Sequence, residues 1–139
     1  MAKTLKDLVS AARGRIVEID PEALSAELQR GGNLLLVDVR EPDEYRLGRL
    51  PGAVSIPRGT IEPAADLQFP KRHPDLSQAR KRRVVLYCAT GGRSALACDV
   101  LREMGFENIA SLAGGVTAWQ DAKLEIRCDP PADSIPVQS

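Results

Sequence analysis

In the stretch VVLYCATGGRSALA, from Val84 to Ala97, an apolar run ends on Cys88. Ala89, Thr90, Gly91, Gly92, Arg93 and Ser94 follow before the chain resumes a helical pattern. A free cysteine is among the most buried residue types, so the plain reading is a core thiol. The composition of the loop opposes it. Gly91 and Gly92 reach backbone angles that L-residues avoid, which lets the chain curl tightly and aim several N–H groups inward as an anion nest. A helix beginning near Ser94 adds its positive end and its unpaired N–H groups. In that cup a thiol is stabilised as thiolate by amide dipoles, the helix terminus and Arg93, without an adjacent histidine base. Cys88 is thus the candidate nucleophile, with Ala89 to Ser94 as its anion cradle. Cys98 shares a helical face with Leu101 and reads as inert core, and Cys128, just before a proline-rich tail, reads as incidental.

A cradle that starts with cysteine and ends in Arg-Ser suits phosphate-ester cleavage or sulfur transfer. Tyrosine-phosphatase loops hold one more residue between cysteine and arginine than the Ala89, Thr90, Gly91 and Gly92 found here. Tyr87 also stands where those phosphatases usually carry histidine. The smaller ring favours a single sulfur over a phosphoryl group.

The elements around this loop alternate strand and helix, the pattern of an α/β fold with a parallel sheet. RIVEI is a short first strand, and Asp20 with Pro21 forms an N-cap and N1 pair for the helix PEALSAELQR, stopped by Gly31 and Gly32. LLLVDV, Leu34 to Val39, is apolar almost throughout, as a strand covered on both faces should be. A short helix around Asp43 to Leu47 leads to GAVSIP as a third strand. Residues 57–81 break the pattern and read as a lid or a wandering crossover. RVVLYC is the next buried strand, Ala97, Leu101 and Met104 mark the following helix closed by Gly105, NIASL is the last strand, and AGGVTAWQDA enters the last helix.

In open parallel sheets the ligand crevice lies beyond the carboxyl ends of the strands, so Cys88 and Asp38 belong to one rim. Asp38 is expected to have a structural role near the site. Arg40 and Glu44, four apart at a helix start, are expected to pair with each other. Gly114, Gly115 and Trp119 read as turn and packing residues, and His73 as solvated.

The chain of 139 residues fits one domain. Nineteen Lys and Arg balance nineteen Asp and Glu, so no global field exists to hold nucleic acid or a membrane surface. Three cysteines and one histidine, at spacings that make neither a disulfide framework nor a zinc site, predict a reducing compartment, no structural metal and no cofactor. Residues 1–15 are expected to form a helical extension, with Leu5, Leu8, Val9 and Ala12 packed on the domain. Residues 16–128 form the domain itself and 129–139 a flexible tail. An organelle transit peptide is disfavoured by Asp7 and the scarcity of serine, and a cytoplasmic location is expected.

With these residues in place, the chain resembles the rhodanese domain of the thiosulfate sulfurtransferases from about Ile16 to Leu124. LLLVDVREPDEY is similar to the family's D-x-R-x-x-x-E-[FY] segment and GRLPGAVSIP to its G-H-I-P-G-A-x-x-I-P. YCATGGRSALA is similar to its C-x-x-G-x-R-S loop, and LAGGVTAW to its L-x-G-G-x-x-A-W. Arg49 stands where the family usually has histidine. PRGTIE resembles a single-domain subgroup in which arginine and glutamate lie near the site, which adds Arg58 as a donor contact.

The resemblance implies a central parallel sheet of about five strands with helices on both faces. It also implies a two-step reaction. The Cys88 thiolate takes the outer sulfur of thiosulfate, and the persulfide passes it to cyanide or a thiol. Arg93 attracts the donor while the amides of Ala89, Thr90, Gly91, Gly92 and Ser94 hold the persulfide. Two alternatives remain. In one, a sulfur-relay or protein-interaction module uses a partner protein's cysteine as acceptor; in the other, the domain is a phosphatase or arsenate reductase.

Overall fold

The computed structural model describes residues 2–128, so the predicted tail, 129–139, lies outside the described residues. Five strands form one wholly parallel sheet: β1 (Glu18–Ile19), β2 (Leu35–Asp38), β3 (Val54–Ser55), β4 (Val84–Tyr87) and β5 (Ile109–Leu112), in the order β1-β5-β4-β2-β3. Among the described residues there are six α-helices: α1 (Leu5–Arg13), α2 (Pro21–Arg30), α3 (Pro42–Leu47), α4 (Ile61–Ala65), α5 (Gly92–Glu103) and α6 (Gly115–Asp121). The outer strands are shorter than RIVEI and GAVSIP suggest, because only two residues of each pair with a neighbour. No described helix is long and apolar enough to cross a membrane.

Strand side chains alternate between faces, and here both faces are apolar because both are covered. Leu35, Val37, Val84, Leu86 and Cys88 join Ala97, Cys98 and Leu101 of α5 in one buried cluster. Leu36, Val85, Tyr87, Ala110 and Leu112 join Leu24 of α2 and Val116 and Trp119 of α6 in the other. Trp119 is a core residue, as expected, with its ring N–H donated to Glu125 O at 2.8 Å.

Residues 57–81 are a crossover: a 3-10 turn (Arg58–Thr60), α4 and a second 3-10 turn (Leu76–Gln78), which bury Ile61, Ala65, Leu76 and Ala79 on the α5 side of the sheet. His73, expected to be solvated, instead organises this segment. It is half-buried, and its Nδ1 accepts the N–H groups of Asp75 at 3.1 Å and Leu76 at 3.2 Å.

The N-terminal helix forms where expected, with Thr4 and Asp7 closing a capping box. Its apolar stripe is only half used. Ala12 is fully buried and Val9 partly so, whereas Leu5 and Leu8 are 69% and 46% exposed.

Candidate active site

β4 sits between β5 and β2 and delivers Cys88 to the carboxyl rim of the sheet. Asp38 is in register with Tyr87, and Val39 N–H bonds Tyr87 O at 2.9 Å, so the two strands leave the sheet side by side. The loop beyond Cys88 then has to reverse into α5 within a few residues. Gly91 makes this turn at φ +105°, where any side chain is strained, and a Cβ there would stand 3.2 Å from Arg13 Nη2 and 3.4 Å from Gly114 N. Helix α5 consequently starts at Gly92, two residues before the position read from sequence.

The turn wraps the sulfur. Cys88 Sγ accepts the N–H of Gly91 at 3.1 Å and that of Ser94 at 3.4 Å. The thiol donates to Ser94 Oγ at 3.6 Å, and Ser94 Oγ in turn bonds Gly91 O at 3.2 Å and Ser111 Oγ at 2.8 Å. Ser94 has one hydroxyl hydrogen, so when that hydrogen goes to Gly91 O the buried Ser111 must be the donor in their contact. Ser111 therefore completes a three-member chain, Cys88–Ser94–Ser111, that sequence reasoning missed. It lies in the middle of an apolar strand, and its two-residue phase with Ile109 is the only local signal.

Helix α6 clasps the loop from behind. Val116 N–H donates to Cys88 O at 2.9 Å and Thr117 N–H to Ala89 O at 3.1 Å. A trans peptide points its N–H opposite to its C=O, so these bonds turn the amides of Ala89 and Thr90 away from α6. Gly115 makes the approach feasible: at φ +59°, a Cβ there would collide with Cys88 O and Ala89 C.

Arg93 does not touch the sulfur. Its guanidinium forks onto Glu44 of α3, Nη1 to Oε1 at 2.8 Å and Nη2 to Oε2 at 3.1 Å. The Arg93 hydrogen bonds, helped by the Glu41 N–H at 3.0 Å, hold the Glu44 carboxyl at about 2 against an opposing contribution from partial burial. Glu44 reciprocally raises the Arg93 guanidinium. Arg40 is not the partner of Glu44, contrary to the expectation from their spacing. Helix α3 begins only at Pro42, so Arg40 has no helical phase with Glu44. Instead it turns back on Asp38, with Nη2 to Oδ2 at 2.7 Å and Nε to Oδ1 at 3.0 Å, and donates a further bond to Gly48 O at 2.6 Å. Asp38, fully buried, serves this bracket between strand end and α3 and bonds nothing in the loop.

Of the remaining candidates, Thr90 is exposed and Gly92 half-buried. Arg58 pairs with Glu62 at 3.0 Å within its own segment and makes no hydrogen bond to the loop. Arg49 lies with its guanidinium 4.4 Å from the centre of the Tyr45 ring and bridges Arg127 through the backbone. Cys98 is fully buried, and burial pushes its thiol far above the ordinary range. Cys128 is exposed, with its thiol donated to Leu47 O at 3.2 Å.

The pattern of the Rhodanese-like domain family matches residues 20–122. A protein from Allochromatium vinosum named "Sulfurtransferase" is 38% identical over 102 residues, which are 73% of this chain and 86% of that one. Other curated relatives are longer than the match, which takes up 63%, 26% and 54% of their lengths. Among solved structures, a Rhodopseudomonas palustris protein of unknown function, described as a possible tyrosine phosphatase, superimposes with TM-score 0.84 at 32% identity, covering 91% of this chain and 96% of its own. A thiosulfate sulfurtransferase from Pseudomonas aeruginosa superimposes with TM-score 0.72 at 26% identity, over 87% of this chain and 22% of the other.

Proposed function

Because the chain belongs to the rhodanese-like family, we propose that it is a sulfurtransferase whose carrier is a persulfide on Cys88. The observation that carries this reading is the pair of backbone N–H groups, from Gly91 and Ser94, already aimed at Cys88 Sγ. Donors fixed around a sulfur favour negative charge on it, at no reorganisation cost when the charge arrives. The Cys88 thiolate attacks the outer sulfur of thiosulfate. A new S–S bond forms to Cys88, the old S–S bond breaks, and its electron pair leaves on sulfite. In the second half, a thiolate or cyanide attacks the outer persulfide sulfur, and the S–S pair returns to Cys88. The amides of Ala89 and Thr90, turned away from α6, would join those of Gly91 and Ser94 around the charged outer sulfur.

Arg93 recruits the donor in this scheme. Glu44 engages two of its five N–H groups and leaves the others for the oxygens of a dianion. Fixing the guanidinium this way limits the rotamer freedom lost when the donor arrives.

The Rhodopseudomonas neighbour's description favours a second reading, phosphate-ester cleavage. The cradle here has only Ala89, Thr90, Gly91 and Gly92 between nucleophile and arginine, and Cys88 lies with its sulfur already inside the N–H groups it would share with a phosphoryl group. One experiment separates the two. Intact mass after incubation with thiosulfate should show one added sulfur, mapped to Cys88 and removed by cyanide, with no release of nitrophenol from p-nitrophenyl phosphate. Sulfur on Cys98 or Cys128, or phosphate release without a sulfur adduct, would sink the sulfurtransferase reading.

A further inference from the structure

Helix α1 lies outside the 20–122 stretch that the family pattern matches, yet it reaches the loop that carries Cys88. It is firmly held there. Arg15, just beyond the helix, forks onto Asp99 of α5 with Nε to Oδ1 at 3.0 Å and Nη2 to Oδ2 at 2.7 Å, and Arg102 takes the same carboxylate. Its hydrogen bonds to Arg15 lead in holding the Asp99 carboxyl below its ordinary range. Ala12 is buried at the α5 contact, and Val9 Cγ2 lies 3.6 Å from the Cβ position of Gly92.

Between this helix and the loop runs an open groove of about 430 Å³, lined by Leu5, Lys6, Val9 and Arg13 on one side and by Thr90 and Gly92 on the other. Among the described residues no carboxylate lines it. Arg13 keeps a loose pair with Glu18 at 3.4 Å, and Lys6 has no carboxylate partner among the described residues. Leu5 and Leu8 present aliphatic surface to solvent on a helix that has no burial reason to carry it there. From Leu5 to Arg13 the helix rises roughly 12 Å, the span of about four extended residues. A small thiol needs none of that length.

We infer that this groove docks the sulfur acceptor: a segment of a partner protein that carries carboxylates and aliphatic side chains beside the thiol it presents to Cys88. The aliphatic residues would lie on Leu5 and Val9 and the carboxylates against Lys6 and Arg13. The thiol would then enter past Thr90. This rests on the sulfurtransferase reading, and the test keeps the two apart.

Two cysteine peptides of equal length are compared as acceptors for protein preloaded with thiosulfate, one with Glu and Leu around the cysteine and one with Lys and Ser. Discharge to 2-mercaptoethanol serves as the reference. Binding of the same peptides, with serine for cysteine and a fluorescent label, is followed by anisotropy on unloaded protein. The acidic peptide should bind and discharge the persulfide roughly tenfold better than the basic one, and the preference should shrink at high salt. Lys6→Glu combined with Leu5→Ser, both at exposed positions, should abolish the preference while loading and discharge to 2-mercaptoethanol stay within about twofold.

Equal binding of both peptides, or a preference that survives the double variant, would overturn the docking site and leave the sulfurtransferase reading intact. Failure to load at all, with peptide binding as expected, would overturn the sulfurtransferase reading and leave the groove as a peptide-binding surface without an acceptor role. A dimer in light scattering that the double variant dissolves would assign the groove to a second copy of the chain and overturn the proposal.

Discussion

Cys88 and Cys98 lie one loop and two helical turns apart, and both are essentially removed from solvent, 1% and 0% exposed. They differ in what surrounds the sulfur. Both sulfurs belong to the apolar cluster that includes Val84 and Leu101, and at Cys98 burial pushes the thiol upward. Around Cys88 are two aimed N–H groups and a hydroxyl backed by a second hydroxyl. On the proposed reading, depth alone does not set reactivity. What decides it is whether the low dielectric is filled with alkyl groups, which penalise charge, or with fixed dipoles, which supply it.

The sharpest way to break that contrast is chemical. Iodoacetamide on the folded protein should label Cys88 and spare Cys98, which should react only after unfolding, and Cys88→Ser should remove sulfur loading altogether. Labelling of Cys98 at a rate comparable to Cys88 in the native state would end the comparison. Next in size is Arg93→Ala. Loss of a charged hydrogen bond to the donor, about 1.5 to 3 kcal/mol, should slow thiosulfate loading ten- to a hundredfold and leave single-turnover discharge to cyanide within about threefold. Equal slowing of both steps would mean that Arg93, through Glu44, only shapes the loop.

Ser111→Ala tests the hydroxyl chain. With Ser94 left short of one partner, both half-reactions should slow roughly fivefold, for about 1 kcal/mol, and Ser111→Thr should restore most of the rate. Unchanged rates in Ser111→Ala would remove the buried chain from the mechanism.

A smaller effect is expected from Glu44→Gln, because both ends of its pair with Arg93 are more than a third exposed and screened: about 0.5 to 1 kcal/mol of stability at pH 7. The Glu44 carboxyl is held at about 2 against an ordinary 4.5, so its contribution is complete above pH 4.5 and disappears as pH falls from 4.5 toward 2. Urea midpoints of wild type and Glu44→Gln should accordingly differ at pH 7 and converge by pH 2. A constant gap would refute the assignment. The smallest effect on sulfur loading belongs to Cys98→Ala, which should leave loading within twofold while costing about 1 kcal/mol in packing.

The features that sequence revealed are those written locally. Cys88 at a strand end, the glycines that force the turn and the serine that follows lie within seven consecutive residues, and the central parallel strands announce themselves as apolar runs, LLLV at 34–37 and VVLY at 84–87. Features carried by long-range partners stayed hidden. Glu44 reads as a helix-surface acid until α5 brings Arg93 to it, forty-nine residues away in sequence. Arg40 obeys the spacing of a helical pair but precedes the helix, so buried Asp38, two residues back, captures it. Similarly, the stripe Leu5, Leu8, Val9 and Ala12 predicted a helix correctly and its seating only in part, since periodicity shows which side chains share a face but not how much of that face finds a partner.

The clasp of α6 on the loop also sets a schedule for synthesis. The bonds that orient the loop's carbonyls run from residues 116 and 117 back to 88 and 89, and the first strand can pair only with the last. As the chain leaves the ribosome, Cys88 emerges well before Val116 and Thr117, at a stage when β4 lacks β5 on one side. Until those residues have docked, the carbonyls of Cys88 and Ala89 lack the N–H partners that orient them. The candidate site is therefore completed last, after β5 has joined the sheet, and an unfinished or truncated chain ending before α6 would lack the clasp on the loop.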